Sequence, residues 1–312
     1  MKSRPAVENI LWMAAGAVVL AAFLVLTWHF RKEETPAQQL AFKATRVDLV
    51  GRMEYGLARA SEAEKSAVLA VTDPDSERYA AEARAAVAAV DRDRGELAHL
   101  LKAGGAGRER ELLDQFSQAF ANLERVDDEV LRLAVKNTNL KAYALAFGPA
   151  AEALSQMDAA LSRVGAKADA WPEAKRVLSS SDGARIAVLR IQTLLPPHIA
   201  EESDPKMDAL EASMRTEESL ARKDLDALSA IRKLQGDPDL SAAESAFARY
   251  EEIKVHILAL SRENTNVRSL ALSLEQKRKA MIVSLDALAA LKRAILDEPI
   301  AGVAYGRPSM LK

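Results

Sequence analysis

Along most of the chain apolar residues recur at steps of three, four and seven, the spacing of helices that bury one stripe against a bundle. This periodicity predicts a first helix from about Leu40 to Thr72 and a second running to about Lys102. In the stretch TDPDS, Asp73 is expected to cap the second helix, with Pro74 at its first position. After GGAG, residues 104–107, a long third helix is expected from about Arg108 to Val164, kinked or broken at Gly148-Pro149. The connector AKADAWPEAKRVLSSSDG then leads to a fourth helix, about Ala184 to Glu202, bent at Pro196-Pro197. Ser203-Asp204-Pro205 opens a fifth helix that ends at QGDPD, and a last long helix spans about Leu240 to Leu296. Residues 297–312 carry no such pattern and are expected to form a loose tail. The fold class read from this pattern is all-α.

The pattern also repeats. At an offset of 127 residues Phe120 matches Phe247, Glu124 matches Glu251, Leu131 matches Leu258, and Leu133 matches Leu260. Within the same block Asn137-Thr138-Asn139 matches Asn264-Thr265-Asn266, and Leu145 matches Leu272. Both triplets interrupt the stripe. Leu113, Phe116, Phe120, Leu123 and Val130 lie in phase before the first, and Leu140, Tyr143, Phe147, Leu154, Met157, Leu161 and Val164 lie in phase after it. The two runs differ by roughly a quarter to half a turn. In the last helix Phe247, Tyr250 and Ile257 precede the triplet, and Val267, Leu270, Leu274, Met281, Leu285 and Leu288 follow it. A stripe that changes sides marks a helix that leaves one core for another. The expected architecture is two stacked four-helix bundles sharing two long antiparallel helices, with the triplets meeting at the junction. The proximal module would comprise residues 38–136 and 268–296, and the distal module 137–267.

Composition agrees with helix: Ala, Leu, Arg and Glu dominate, and aromatics make up only 5%. A net charge of −2 argues against a nucleic-acid partner. With no cysteine, the chain forms no disulfide and offers no thiolate to a metal or a substrate. Ile10–Phe30, ILWMAAGAVVLAAFLVLTWHF, has no charged residue over a length that spans a bilayer core, and Trp12 and Trp28 lie near its two ends. It is read as a retained transmembrane helix after a nine-residue tail, in preference to a cleaved signal peptide. Lys2 and Arg4 before it and Arg31 and Lys32 after it barely discriminate orientation.

The paired segments LAVKNTNLKA and LSRENTNVRS, set in this helical order, resemble the helical bimodular sensor domains of chemoreceptors and sensor kinases, relatives in style of the four-helix-bundle sensors of methyl-accepting chemotaxis proteins. The resemblance covers residues 38–296. It implies a bacterial inner-membrane protein with its bulk in the periplasm, binding a small organic acid for signal transduction. It also implies a homodimer or a partner receptor as protein partner. No second membrane span, HAMP-like linker or signalling helix pair is present, so direct signalling by this chain alone is not expected. The alternative reading is a membrane-anchored helical scaffold that binds other proteins. An enzyme ranks third.

Arginine is the side chain whose fork matches a carboxylate. Arg46, Arg52 and Arg59 on the first helix and Arg185 and Arg190 on the fourth are therefore the candidates for an organic acid, against the plainer reading of solvated surface charges. Asn137, Thr138, Asn139, Asn264, Thr265 and Asn266 are read first as a junction whose amides satisfy one another, and second as a ligand site. His29, His99, His198 and His256 include no HxxxH pair, and Glu96-to-His99 is a lone ExxH, so neither a metal nor another cofactor is expected. GGAG lacks the lysine of a phosphate loop, and spacing suggests no Ser-His-Asp arrangement.

Overall fold

A computed structural model describes residues 20–22, 35–104 and 107–300. These residues contain no strand, as the all-α expectation requires. The proposed membrane span, residues 10–30, lies outside them except for Leu20, Ala21 and Ala22, which are helical. Among the described residues no helix is long and apolar enough to cross a membrane.

The helices are α1 (Pro36–Leu69), α2 (Asp73–Gly104), α3 (Gly107–Ala134), α4 (Thr138–Leu145), α5 (Ala151–Ala168), α6 (Ala174–Ala200), α7 (Asp204–Ser229), α8 (Pro238–Glu263), α9 (Thr265–Leu272) and α10 (Arg278–Asp297). Two one-turn π segments, Ala146–Ala150 and Ser273–Lys277, join α4 to α5 and α9 to α10. Start signals in the sequence explain several of these ends. Asp237 accepts from the backbone N–H groups of Asp239 and Leu240, with Pro238 as the first residue of α8. At α2 the cap is Thr72, whose Oγ1 accepts from the N–H of Asp75. Asp73, expected in that role, turns instead to Asn137 and Lys141.

The two long helices are not continuous. Each breaks at the first asparagine of its triplet, which takes the left-handed conformation: Asn137 at φ 50°, ψ 38° and Asn264 at φ 52°, ψ 38°. Asparagine is among the few residues with a side chain that tolerate this region. Periodicity alone misses such a break, because one left-handed residue redirects the helix without lengthening the gap between apolar positions. The π segments also stand 127 residues apart. Pro149 lies in the first, where the wider turn accommodates a residue with no N–H. The expected kink at Gly148-Pro149 is therefore a π bulge. The serine run 179–181, expected in a connector, lies within α6, and Pro196-Pro197 form part of its last turns.

The described residues fall into two compact units. One comprises the residues up to Tyr55, Val90–Ser117 and those from Leu285 onward; the other comprises Gly56–Ala89 and Gln118–Ser284. The first buries Leu49 and Met53 of α1, Leu97 and Leu101 of α2, Phe116 of α3, and Leu288, Leu291 and Ile295 of α10. In the second, α5, α6, α7 and α8 surround a core that includes Met157, Leu161, Ile191, Phe247 and Tyr250.

The stripe expected to face the core after Asn264 does not do so throughout. Leu270, Leu274 and Leu285 are exposed, whereas Ser269, Ser273, Lys277, Ala280 and Ser284 are buried. The two rows run side by side on the helix, and the inward one carries serines, Ala280 and Lys277. Periodicity favoured the row with the larger side chains.

Candidate functional site

The two triplets meet in a reciprocal network. The N–H of Thr138 donates to Thr265 Oγ1 at 3.2 Å, and the N–H of Thr265 donates to Thr138 Oγ1 at 3.1 Å. The N–H of Asn139 donates to Asn266 Oδ1, and that of Asn266 to Asn139 Oδ1, both at 3.1 Å. These N–H groups belong to the first turns of α4 and α9, which have no partner within their own helix. Each helix start thus caps the other. The side-chain amides complete the network. Asn139 Nδ2 donates to Asn264 Oδ1 and to the carbonyl of Ile199, and Asn266 Nδ2 donates to Asn137 Oδ1. Asn264 Nδ2 reaches the carbonyl of Glu201, so the unpaired carbonyls at the end of α6 are closed as well. Every one of the six residues is engaged, which makes this junction a fastener between helices.

Sequence reasoning missed a second network beside it. His198 Nδ1 lies 2.8 Å from Ser261 Oγ, and its Nε2 lies 3.1 Å from Glu211 Oε1. This is the order of a Ser-His-acid triad, assembled from residues 63 and 13 positions apart, a separation no local spacing reveals. Ser261 and His198 are both fully buried, however, so no substrate reaches the hydroxyl. Burial holds the His198 pKa below its ordinary value against the opposing pull of Glu211. Ser261 Oγ also donates to the carbonyl of His198 at the end of α6. The arrangement ties α6, α7 and α8 together.

The candidate arginines do not converge. Arg46 is buried and ion-paired with Glu109 at 2.5 Å and with Glu298, beneath the ring of Phe42. Arg52 pairs with Asp93. Arg190 pairs with Glu217 at 3.3 Å. Arg59 lines a small polar groove of about 200 Å³ with Glu62, Ser66, Tyr79 and Glu82. Arg185 lines an open groove of about 510 Å³ between α5 and α6, where it is held by Asp158 at 2.6 Å and Asp182 at 3.2 Å. Two aspartates against one arginine leave that groove with net negative charge, the wrong sign for an organic acid.

A different groove has the right sign. It holds about 400 Å³ and is lined by Ser61, Glu64 and Lys65 of α1 together with Ser273, Leu274, Lys277, Arg278, Met281 and Ile282. Three cations and one carboxylate give the lining a net positive charge. Lys65 and Arg278 are exposed, and among the described residues neither ion-pairs with an acid. Leu274 and Ile282 provide an exposed apolar wall. Beneath lies a buried cluster in which Lys277 Nζ sits 2.8 Å from Glu64 Oε2 and 2.6 Å from Asp127 Oδ1. Burial raises the Asp127 pKa, an effect that the charge of Lys277 only partly offsets.

The two larger grooves occupy related places. Arg278, Met281 and Ile282 in one stand 127 residues after Ala151, Leu154 and Ser155 in the other, each set just beyond a π segment. Single-turn π segments often mark functional positions in helices. Here the second one carries Lys277 into the interior, where its repeat partner is Ala150. The repeat was legible in the sequence, but its divergence into one acidic and one basic groove was not, because the partners come from α1 and α6.

No family model matches the chain, and no curated protein matches it.

Proposed function

We propose that this chain is a membrane-anchored, extracytoplasmic sensor-like protein that binds a small amphipathic carboxylate in the groove of Lys65 and Arg278. The observation that carries the reading is two exposed cations, Lys65 and Arg278, which among the described residues pair with no acid and flank an apolar wall. A carboxylate fits the guanidinium fork of Arg278, and an apolar body fits Leu274 and Ile282. In the same reading residues 10–30 form the anchor. The finer architecture is two four-helix modules that share the two interrupted long helices. Ligand held between α1 and the α9–α10 segment would shift the balance between two arrangements of those helices.

Thermal-shift screening of the full chain against carboxylic acids tests the binding, with K65A/R278A as the control. One or more acids should stabilise the wild type and not the variant. No shift across the library would overturn the reading. A C-terminal reporter active only in the periplasm tests the topology, and a cytoplasmic result would remove the sensor role.

The outward row Leu270, Leu274, Ile282 and Val283 favours a second reading, a helical scaffold that binds another protein. Substituting Leu270 and Val283, which do not line the groove, should abolish partner capture under that reading and leave acid binding unchanged under the first.

A further inference from the structure

Three groups beneath the basic groove do not balance in charge. Glu64 is 0% exposed and Asp127 3%, and the one cation between them is Lys277, itself 3% exposed. Two buried carboxylates share a single ammonium. Glu64 Oε2 is taken by Lys277, while Glu64 Oε1 has no hydrogen-bond partner among the described residues. A buried acceptor left unpaired costs free energy until a donor reaches it. Glu64 lines the groove, so the donor that meets it could arrive with the ligand.

We propose that the ligand is an aminocarboxylate with an apolar side chain, whose ammonium pairs with Glu64 Oε1 while its carboxylate meets Lys65 and Arg278. This rests on the reading of the groove as a carboxylate site and narrows it. The ammonium supplies the missing cation, so that two carboxylates face two cations. It also supplies hydrogens to the unpaired oxygen. A plain carboxylic acid does neither, and it places its negative charge near a cluster that already holds an excess of carboxylate. The apolar side chain lies against Leu274, Met281 and Ile282, and the unbranched Met281 can change rotamer to open the way to the floor.

The test compares matched compounds by isothermal titration of the full chain. Valine, leucine and methionine are each set against the acid that lacks only the amino group. At least one amino acid should bind tenfold or more tightly than its des-amino partner, and Glu64→Gln should abolish that margin while keeping affinity for the plain acid. Because the comparison is made first on the wild type, it stands even if the variant folds poorly. Equal affinity for both members of each pair, with R278A weakening both, would overturn the aminocarboxylate assignment and leave the carboxylate site intact. If no acid of either kind binds, both readings fail.

Discussion

The N–H of Asn139 is held by Oδ1 of Asn266, and the N–H of Asn266 by Oδ1 of Asn139, each at 3.1 Å. Asparagine commonly caps the helix in which it stands; here each caps the helix of the other repeat. Asn139→Ala would leave the Asn266 N–H, the Ile199 carbonyl and Asn264 Oδ1 without their partner. The loss of a cap together with buried unpaired groups should cost about 2–3 kcal/mol in urea unfolding. Asn139→Ala keeps the bond from its own N–H to Asn266 Oδ1, and Asn266→Ala removes that one instead, so N139A/N266A should cost about the sum of its single variants.

The left-handed backbone at Asn137 gives a separate expectation. Asn137→Gly and Asn137→Ala both delete the bonds to Asp73 and Asn266, so any difference between them reports the backbone alone. Alanine at φ 50° should cost about 1 kcal/mol more than glycine. Equal stability of the two variants would show that the helix break does not require this conformation.

How much of this was legible follows from particular residues. The offset of 127 and the two NTN triplets could be read directly, since identical side chains at identical spacing need no tertiary knowledge. The break at Asn137 could not, because nothing local distinguishes an asparagine in a helix from one that ends it. Lys277 reads as one more exposed charge until α1 and α3 bring Glu64 and Asp127 to it; Glu64 is 213 residues away. The arginines were chosen for the fork that suits a carboxylate, yet the same fork suits the protein's own acids. Arg46, Arg52, Arg185 and Arg190 are engaged in this way.

Two of those arginines should differ widely in what their removal costs. Arg46→Met leaves Glu109, 2% exposed, as a buried carboxylate without its cation, and should cost about 3–5 kcal/mol. Arg185→Ala breaks an exposed pair and should change stability by less than about 1 kcal/mol. Chemical denaturation of both variants in one buffer checks the contrast.

Glu251 sets a pH dependence. Burial pushes its carboxyl up to about 7, against the pull of Lys254 2.7 Å away. The folded state therefore binds this proton more tightly than the unfolded chain does. The stability it contributes is fully present below pH 4.5, the ordinary value, and is lost as pH rises towards 7. Glu218 has the opposite sign: hydrogen bonds from Glu251, Lys254 and Arg222 outweigh its burial and lower it to about 2, so its contribution is lost as pH falls below 4.5. In urea titrations from pH 5 to 7.5, wild type should lose on the order of 2 kcal/mol from this site, and Glu251→Gln should flatten that decline. The same slope in the variant would assign the dependence to other groups.

Gly183 of α6 faces the side chain of Asp224 of α7. A Cβ built there would stand 2.1 Å from Asp224 Oδ2 and 2.9 Å from its Cγ, too near for any side chain to coexist with that rotamer. Asp224 is partly buried, and its carboxylate must move for a Cβ to fit. Gly183→Ala improves helix propensity by about 1 kcal/mol, yet it should still destabilise the protein by about 1–2 kcal/mol, because overpacking outweighs that gain. Asp224→Ala removes the obstructing group. G183A/D224A should then be at least as stable as D224A alone, a coupling that thermal melts of the four proteins would measure directly. If G183A is equally harmful in both backgrounds, the clash lies with the backbone of α7 and not with the Asp224 side chain.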